Sequence, residues 1–127
     1  MMLVYLAAGG IVGTLARYGL GSWILSRAGP GFPWGTFAIN ALGSLVLGFV
    51  LRYAALTDLS PEVRGMLAVG FCGAFTTFST FSFETVVLIQ EGAWGRAAAY
   101  SLGSLALGLA AVLAGMSLAP LAARQGG

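Results

Sequence analysis

Arg17, Asn40 and Glu84 each stand inside a long apolar run of this sequence. A charge at the centre of a bilayer costs roughly 3 kcal/mol on insertion scales, so such residues need a partner or a task. Ahead of Glu84 the chain reads Gly70-Phe-Cys-Gly-Ala-Phe-Thr-Thr-Phe-Ser-Thr-Phe-Ser-Phe-Glu84, which gathers five hydroxyls and one carboxylate. Helical spacing would put Thr77, Thr80 and Glu84 on one stripe and Phe78 one turn from Phe81. A cation site wants carbonyl or carboxylate oxygens. Hydroxyl and amide protons donate instead, and an aromatic ring is electropositive at its edge, so this lining suits a small anion. Two readings stay open at this level: polar pairs that hold helices together, and a permeation path.

Other chemistry is excluded by what the chain lacks. With no His, imidazole bases, His metal ligands and the usual nucleophile–His triads are absent. Cys72 is alone, so it forms neither an internal disulfide nor a paired-thiol site, and reads as a small apolar helix residue. Glu84 and Glu91 are seven apart with no nucleophile or metal cluster beside them, which argues against an enzyme. The six Arg are scattered and form no basic stripe, so no nucleic-acid partner is expected.

The elements that must position these residues are membrane spans. Of 127 residues 58% are hydrophobic and only 8% charged, far below the quarter or so usual in soluble domains. A spanning helix needs about 20 apolar residues, so the chain holds at most four spans with short connections and leaves no room for a soluble domain. The expectation is one four-helix transmembrane domain over 1–127, with spans about 3–25, 34–55, 63–89 and 93–118. Arg27 to Pro33 is a turn, Ser60 is an N-cap candidate ahead of Pro61, and Glu91-Gly92 ends the third span. The N-terminus has no Arg before Arg17 and reads as part of the first span rather than a cleaved signal. Gly73 to Thr77 weakens the third helix at its centre, since Gly and consecutive Thr are poor helix formers.

Four spans put Arg52, Arg64 and Arg124 on one side and Arg27 and Arg96 on the other, with Arg17 further in. That balance gives no positive-inside orientation. Either so few charges carry no signal, or the chain inserts both ways and pairs antiparallel with itself, as an inverted repeat made from one gene product. Gly9 and Gly13, then Asn40, Ser44 and Gly48, then Tyr100, Ser104 and Gly108 form ladders at four-residue spacing. Such ladders let helices approach closely, within a chain or between chains.

The stretch from Gly70 to Glu84 resembles the signature of the Fluc/CrcB fluoride channels. Gly9-Gly-Ile-Val-Gly-Thr-Leu-Ala-Arg17-Tyr18 and Gly35-Thr-Phe-Ala-Ile-Asn-Ala-Leu-Gly-Ser44 are similar to that family's first- and second-helix motifs, in the same order. The resemblance implies an all-α membrane protein with four transmembrane helices per subunit, the third broken at its centre, assembled as an antiparallel dual-topology homodimer. It implies a multi-pass protein of the bacterial inner membrane that passively exports fluoride from the cytoplasm through two pores and so reduces fluoride toxicity. By the same resemblance, Phe78 and Phe81 would line the path and Asn40 would be the second-helix donor. Ser79 and Thr80 would be neighbouring hydroxyls, and Tyr100 and Ser104 the fourth-helix polar groups. Glu84 would face a vestibule, and Arg17 would stand near the entrance and interface. A structural sodium ion would be held at the dimer interface by the backbone carbonyls of Gly73 and Thr76. Gly108 lies where some members carry another hydroxyl. The alternatives are a proton-coupled fluoride exporter and a small dual-topology multidrug transporter, although residues 1–27 contain no acid for the latter.

Overall fold

The computed structural model describes residues 1–126; Gly127, the last residue of the expected domain, lies outside the described residues. Among the described residues every element is helical. The order is α1 (Met2–Ala28), α2 (Trp34–Leu56), α3 (Pro61–Gly65), a π-helical turn (Met66–Phe71), α4 (Cys72–Phe75), α5 (Phe78–Gln90) and α6 (Trp94–Gln125). Four helical stretches are long and apolar enough to cross a membrane: Met2–Ala28, Trp34–Leu56, Pro61–Gln90 and Trp94–Gln125. Three of the four bury less than a fifth of their most apolar window within the chain. Their outer faces therefore require lipid or another protein as cover.

Local chemistry sets the ends. Gly29 and Gly92 have φ of 76° and 75°, left-handed backbone that glycine adopts without strain, and they close α1 and follow α5. Ser60 Oγ accepts from Val63 N–H at 3.2 Å, with Pro61 in the first helical position. Between α1 and α2, the Gly31 carbonyl accepts from Arg96 Nη1, which ties the first loop to the first turn of α6 at one end of the bundle. The fourth span is longer than expected. It runs through Pro120, whose missing N–H leaves one internal bond unmade, and Ala119 beside it is fully buried.

Glycines decide how the spans touch. A Cβ on Gly9 or Gly13 would strike the backbone of Met66 or Phe71, and one on Gly70 would strike the Leu6 carbonyl. The first ladder is thus consumed by α1 packing on the π-helical turn. Gly65 and Gly70 both face α1, although they are five apart, because a π turn holds more residues than an α turn. On the other side α2 and α6 run parallel. Gly48 lies against Val112, and Gly115 against the backbone of Leu45 and Phe49.

The third span is interrupted at two residues. Thr76 (φ −82°, ψ 157°) and Thr77 (φ −149°, ψ 116°) are extended, and α5 restarts at Phe78 with Thr77 as its N-cap.

Candidate functional site

An interrupted helix inside a membrane must find partners for the backbone groups it releases. In an unbroken helix, Thr77 N–H would bond the Gly73 carbonyl, and Thr80 N–H the Thr76 carbonyl. Here Thr77 N–H donates to Asn40 Oδ1 at 2.8 Å, and Thr80 N–H donates to Thr77 Oγ1 at 3.2 Å. Side-chain oxygens have replaced two helix carbonyls. The carbonyls of Gly73 and Thr76 are left without those donors. Asn40 completes its exchange by donating from Nδ2 to the Thr77 carbonyl at 3.1 Å. Arg17 Nε donates to the Ala74 carbonyl at 2.9 Å, placing its cation against the C-terminal end of the first half of the span, where the helix dipole is negative.

Beyond the break the hydroxyls and rings line up on α5. Thr77 Oγ1 donates to Thr80 Oγ1 at 2.9 Å, and Ser79 Oγ lies 3.4 Å from Thr77 Oγ1. Phe78 and Phe81 have ring centroids 5.9 Å apart, tilted by 38°. Phe81 is half-buried and reaches the Tyr100 ring at 5.1 Å, whereas Phe78 is 81% exposed on the single chain. A phenylalanine so bare faces lipid, a lumen or a second protein. The Tyr100 hydroxyl donates to Glu84 Oε1 at 3.1 Å, and Tyr100 is fully buried among Phe32, Phe37 and Phe81.

Two cavities of about 300 Å³ flank the Asn40–Thr77 pair. Arg17, Thr36, Thr80 and Glu84 line one. Asn40, Ser44, Gly73, Thr76 and Phe78 line the other, and Thr77 belongs to both. Arg17 and Glu84 share a cavity without pairing as ions; each bonds a neutral group instead, a carbonyl for Arg17 and a phenol for Glu84.

The structure brings most of the residues singled out from sequence to the break, to α5 and to the two cavities beside them. Glu84 and Tyr100 lie toward the end marked by the first loop. Phe81, Phe78, Ser79 and Thr80 follow on α5, and Asn40, Thr76 and Gly73 meet at the break. Ser104 stands apart from this bonding: its Oγ is buried and has no hydrogen-bond partner. Arg17 approaches from α1 and touches the broken backbone. Sequence reasoning missed that Thr77 is the partner of Asn40, a contact between residues far apart in the chain. It also missed the Arg17–Ala74 bond. A carbonyl acceptor has no residue signature, so nothing in the sequence could have pointed to it.

The Gly73 and Thr76 carbonyls are the donor type a sodium ion takes, hard oxygens without a competing helix bond. Carboxylate, imidazole and thiol groups do not cluster here: among the described residues no three His, Cys, Asp or Glu side chains come together.

Comparison with known proteins gives a consistent result. A family profile described as "CrcB-like protein, Camphor Resistance (CrcB)" matches residues 4–116. The chain is 50% identical over 112 residues to a fluoride-specific ion channel FluC of Thermus thermophilus, covering 88% of each chain. It is 49% identical over 117 residues to the protein of the same name from Acidobacterium capsulatum, covering 91% of this chain and 94% of the relative. The Agrobacterium fabrum protein of that name is 44% identical, with the same coverage.

Proposed function

We infer that this chain, which belongs to the CrcB-like family, is a fluoride-selective ion channel, not an enzyme, and that fluoride leaves the cytoplasm passively along the line from the break to Glu84. The relatives it matches over 88% to 94% of their length are named fluoride-specific ion channels. The observation that carries the reading is chemical. A run of hydroxyl, amide and ring-edge donors is present, and the one nearby cation, Arg17, is already bonded to a helix carbonyl. Weak donors in series can replace the hydration of a small anion without trapping it.

In this reading Phe78 and Phe81 offer ring edges to the ion, and Ser79 and Thr80 offer hydroxyls. Asn40 keeps one Nδ2 hydrogen beyond the one bonded to Thr77, and that hydrogen serves the path. Tyr100 and Ser104 supply the polar groups of α6, Glu84 faces the vestibule, and Arg17 stands near the entrance.

Two copies in opposite orientation form the working unit, with two pores, in a bacterial inner membrane, where fluoride export lowers its toxicity to the cell. The exposure of Phe78 and Gly73 on the single chain, close to the break, supports a partner at that face. Sodium bound by the Gly73 and Thr76 carbonyls would supply a fixed positive charge between the copies. Purified protein in liposomes should release fluoride and retain chloride with no pH gradient. Release of both ions, or of neither, overturns the channel; release only with a proton gradient identifies a coupled exporter.

A further inference from the structure

The α2–α6 seam pairs residues in a constant register. Thr36 lies beside the Tyr100 hydroxyl, Ser44 Oγ sits 3.8 Å from where a Cβ on Gly108 would stand, and Gly48 packs on Val112. Each step is four residues on both helices, so Asn40 falls at the level of Ser104. Polar positions thus occupy three successive levels, and the Gly48–Val112 contact closes the seam with backbone against backbone.

Two hydroxyls on this seam lack the backbone bond that several other hydroxyls of the protein make. Ser82, Thr85, Ser101 and Ser117 each donate to the carbonyl four residues back, the ordinary refuge of a hydroxyl in an apolar helix. Ser104 Oγ is buried with no partner. Ser44 makes no such bond either; it lines the cavity beyond the break with Asn40, Gly73 and Thr76. Across from it Gly108 carries no side chain, which leaves the Ser44 hydroxyl unobstructed from α6. Ser44 is half-buried at that cavity and its hydroxyl has no acceptor, so an anion entering there can accept a hydrogen bond from it.

The geometry points to Ser44 as a further ion-contacting residue, the hydroxyl donor that receives the anion one turn beyond Asn40, in the row where α6 has only Gly108. This assignment rests on the fluoride-channel reading above. It makes α2, not α6, the donor at that level, and it sets the dry Gly48–Val112 contact as the limit of the polar seam.

The test compares fluoride efflux from liposomes for the unaltered protein, Ser44→Ala, Ser44→Ala with Gly108→Ser, and Phe81→Ile, each checked for assembly by size exclusion. Loss of one donor to an ion should slow Ser44→Ala about tenfold. A serine at 108 has open space and would place a hydroxyl at the same level from the other helix, so the double variant should recover most of the rate. Undiminished flux in Ser44→Ala, while Phe81→Ile is slow, overturns the role of Ser44 and leaves the channel standing. Slowing that Gly108→Ser does not relieve also overturns it, because a packing defect behaves that way. If the unaltered protein passes no fluoride, the channel reading itself falls.

Discussion

Asn40 and Thr77 exchange two hydrogen bonds, Nδ2 to carbonyl at 3.1 Å and N–H to Oδ1 at 2.8 Å, so one amide side chain on α2 stands in for a stretch of helix. Asn40→Ala leaves both backbone groups unpaired in a low-dielectric interior and should destabilise the protein by about 2–4 kcal/mol. Asn40→Asp keeps an acceptor for Thr77 N–H but sets an oxygen against the Thr77 carbonyl, so it should be no better than alanine. Thermal unfolding in detergent measures both. An alanine variant as stable as the parent would falsify the idea that this side chain holds the break.

Phe81 packs between Phe78 and Tyr100, with centroids at 5.9 and 5.1 Å. Phe81→Ile keeps much of the apolar volume and removes the ring edge. Fluoride flux should fall by about tenfold while the protein still assembles, since one aromatic contact is worth up to about 1.5 kcal/mol beyond its area. An unaltered rate would take the ring out of the ion's path.

Within one chain a Cβ on Gly73 meets nothing within 4 Å. Gly73→Val is therefore expected to leave the subunit's own packing unharmed and to weaken the proposed dimer, read by cross-linking or size exclusion. Replacing sodium by an organic cation at equal ionic strength should weaken the same dimer. An ion at a hundred times its Kd contributes about 2.7 kcal/mol, and readdition should restore that loss. Dimers indifferent to both changes would remove Gly73 and the ion from the interface.

Gly115 offers the opposite case. A Cβ there would strike the Leu45 carbonyl and the Phe49 nitrogen, both rigid backbone. Gly115→Ala should separate α2 from α6 and cost about 1–3 kcal/mol. Melting temperature gives the answer, and no loss would mean that the helices pass further apart at this level.

Hydropathy alone located the four spans, because apolar length is a property of composition, and Pro33, Ser60 and Gly92 marked their ends. The hydroxyls and rings of α5 were also readable, since their spacing is local. What escaped was long-range or backbone-borne. That Asn40 seats on Thr77 depends on how α2 meets the third span. That Arg17 finds a carbonyl depends on an acceptor every residue possesses. The π turn is invisible because Met66-Leu-Ala-Val-Gly-Phe71 is ordinary helical sequence. Its wide geometry comes from tertiary packing, with Gly9, Gly13 and Gly70 drawing two backbones together.

That turn also fixes the reading frame between α1 and the break. If Met66–Phe71 kept all its residues but wound as α-helix, Cys72–Phe75 would rotate by about 100° against α1. The Ala74 carbonyl would swing off Arg17, and Gly73 would face a different neighbour. The turn thus absorbs one residue more than an α-helix of the same phase would hold, so deleting one residue from Met66–Phe71 should be tolerated better than inserting one.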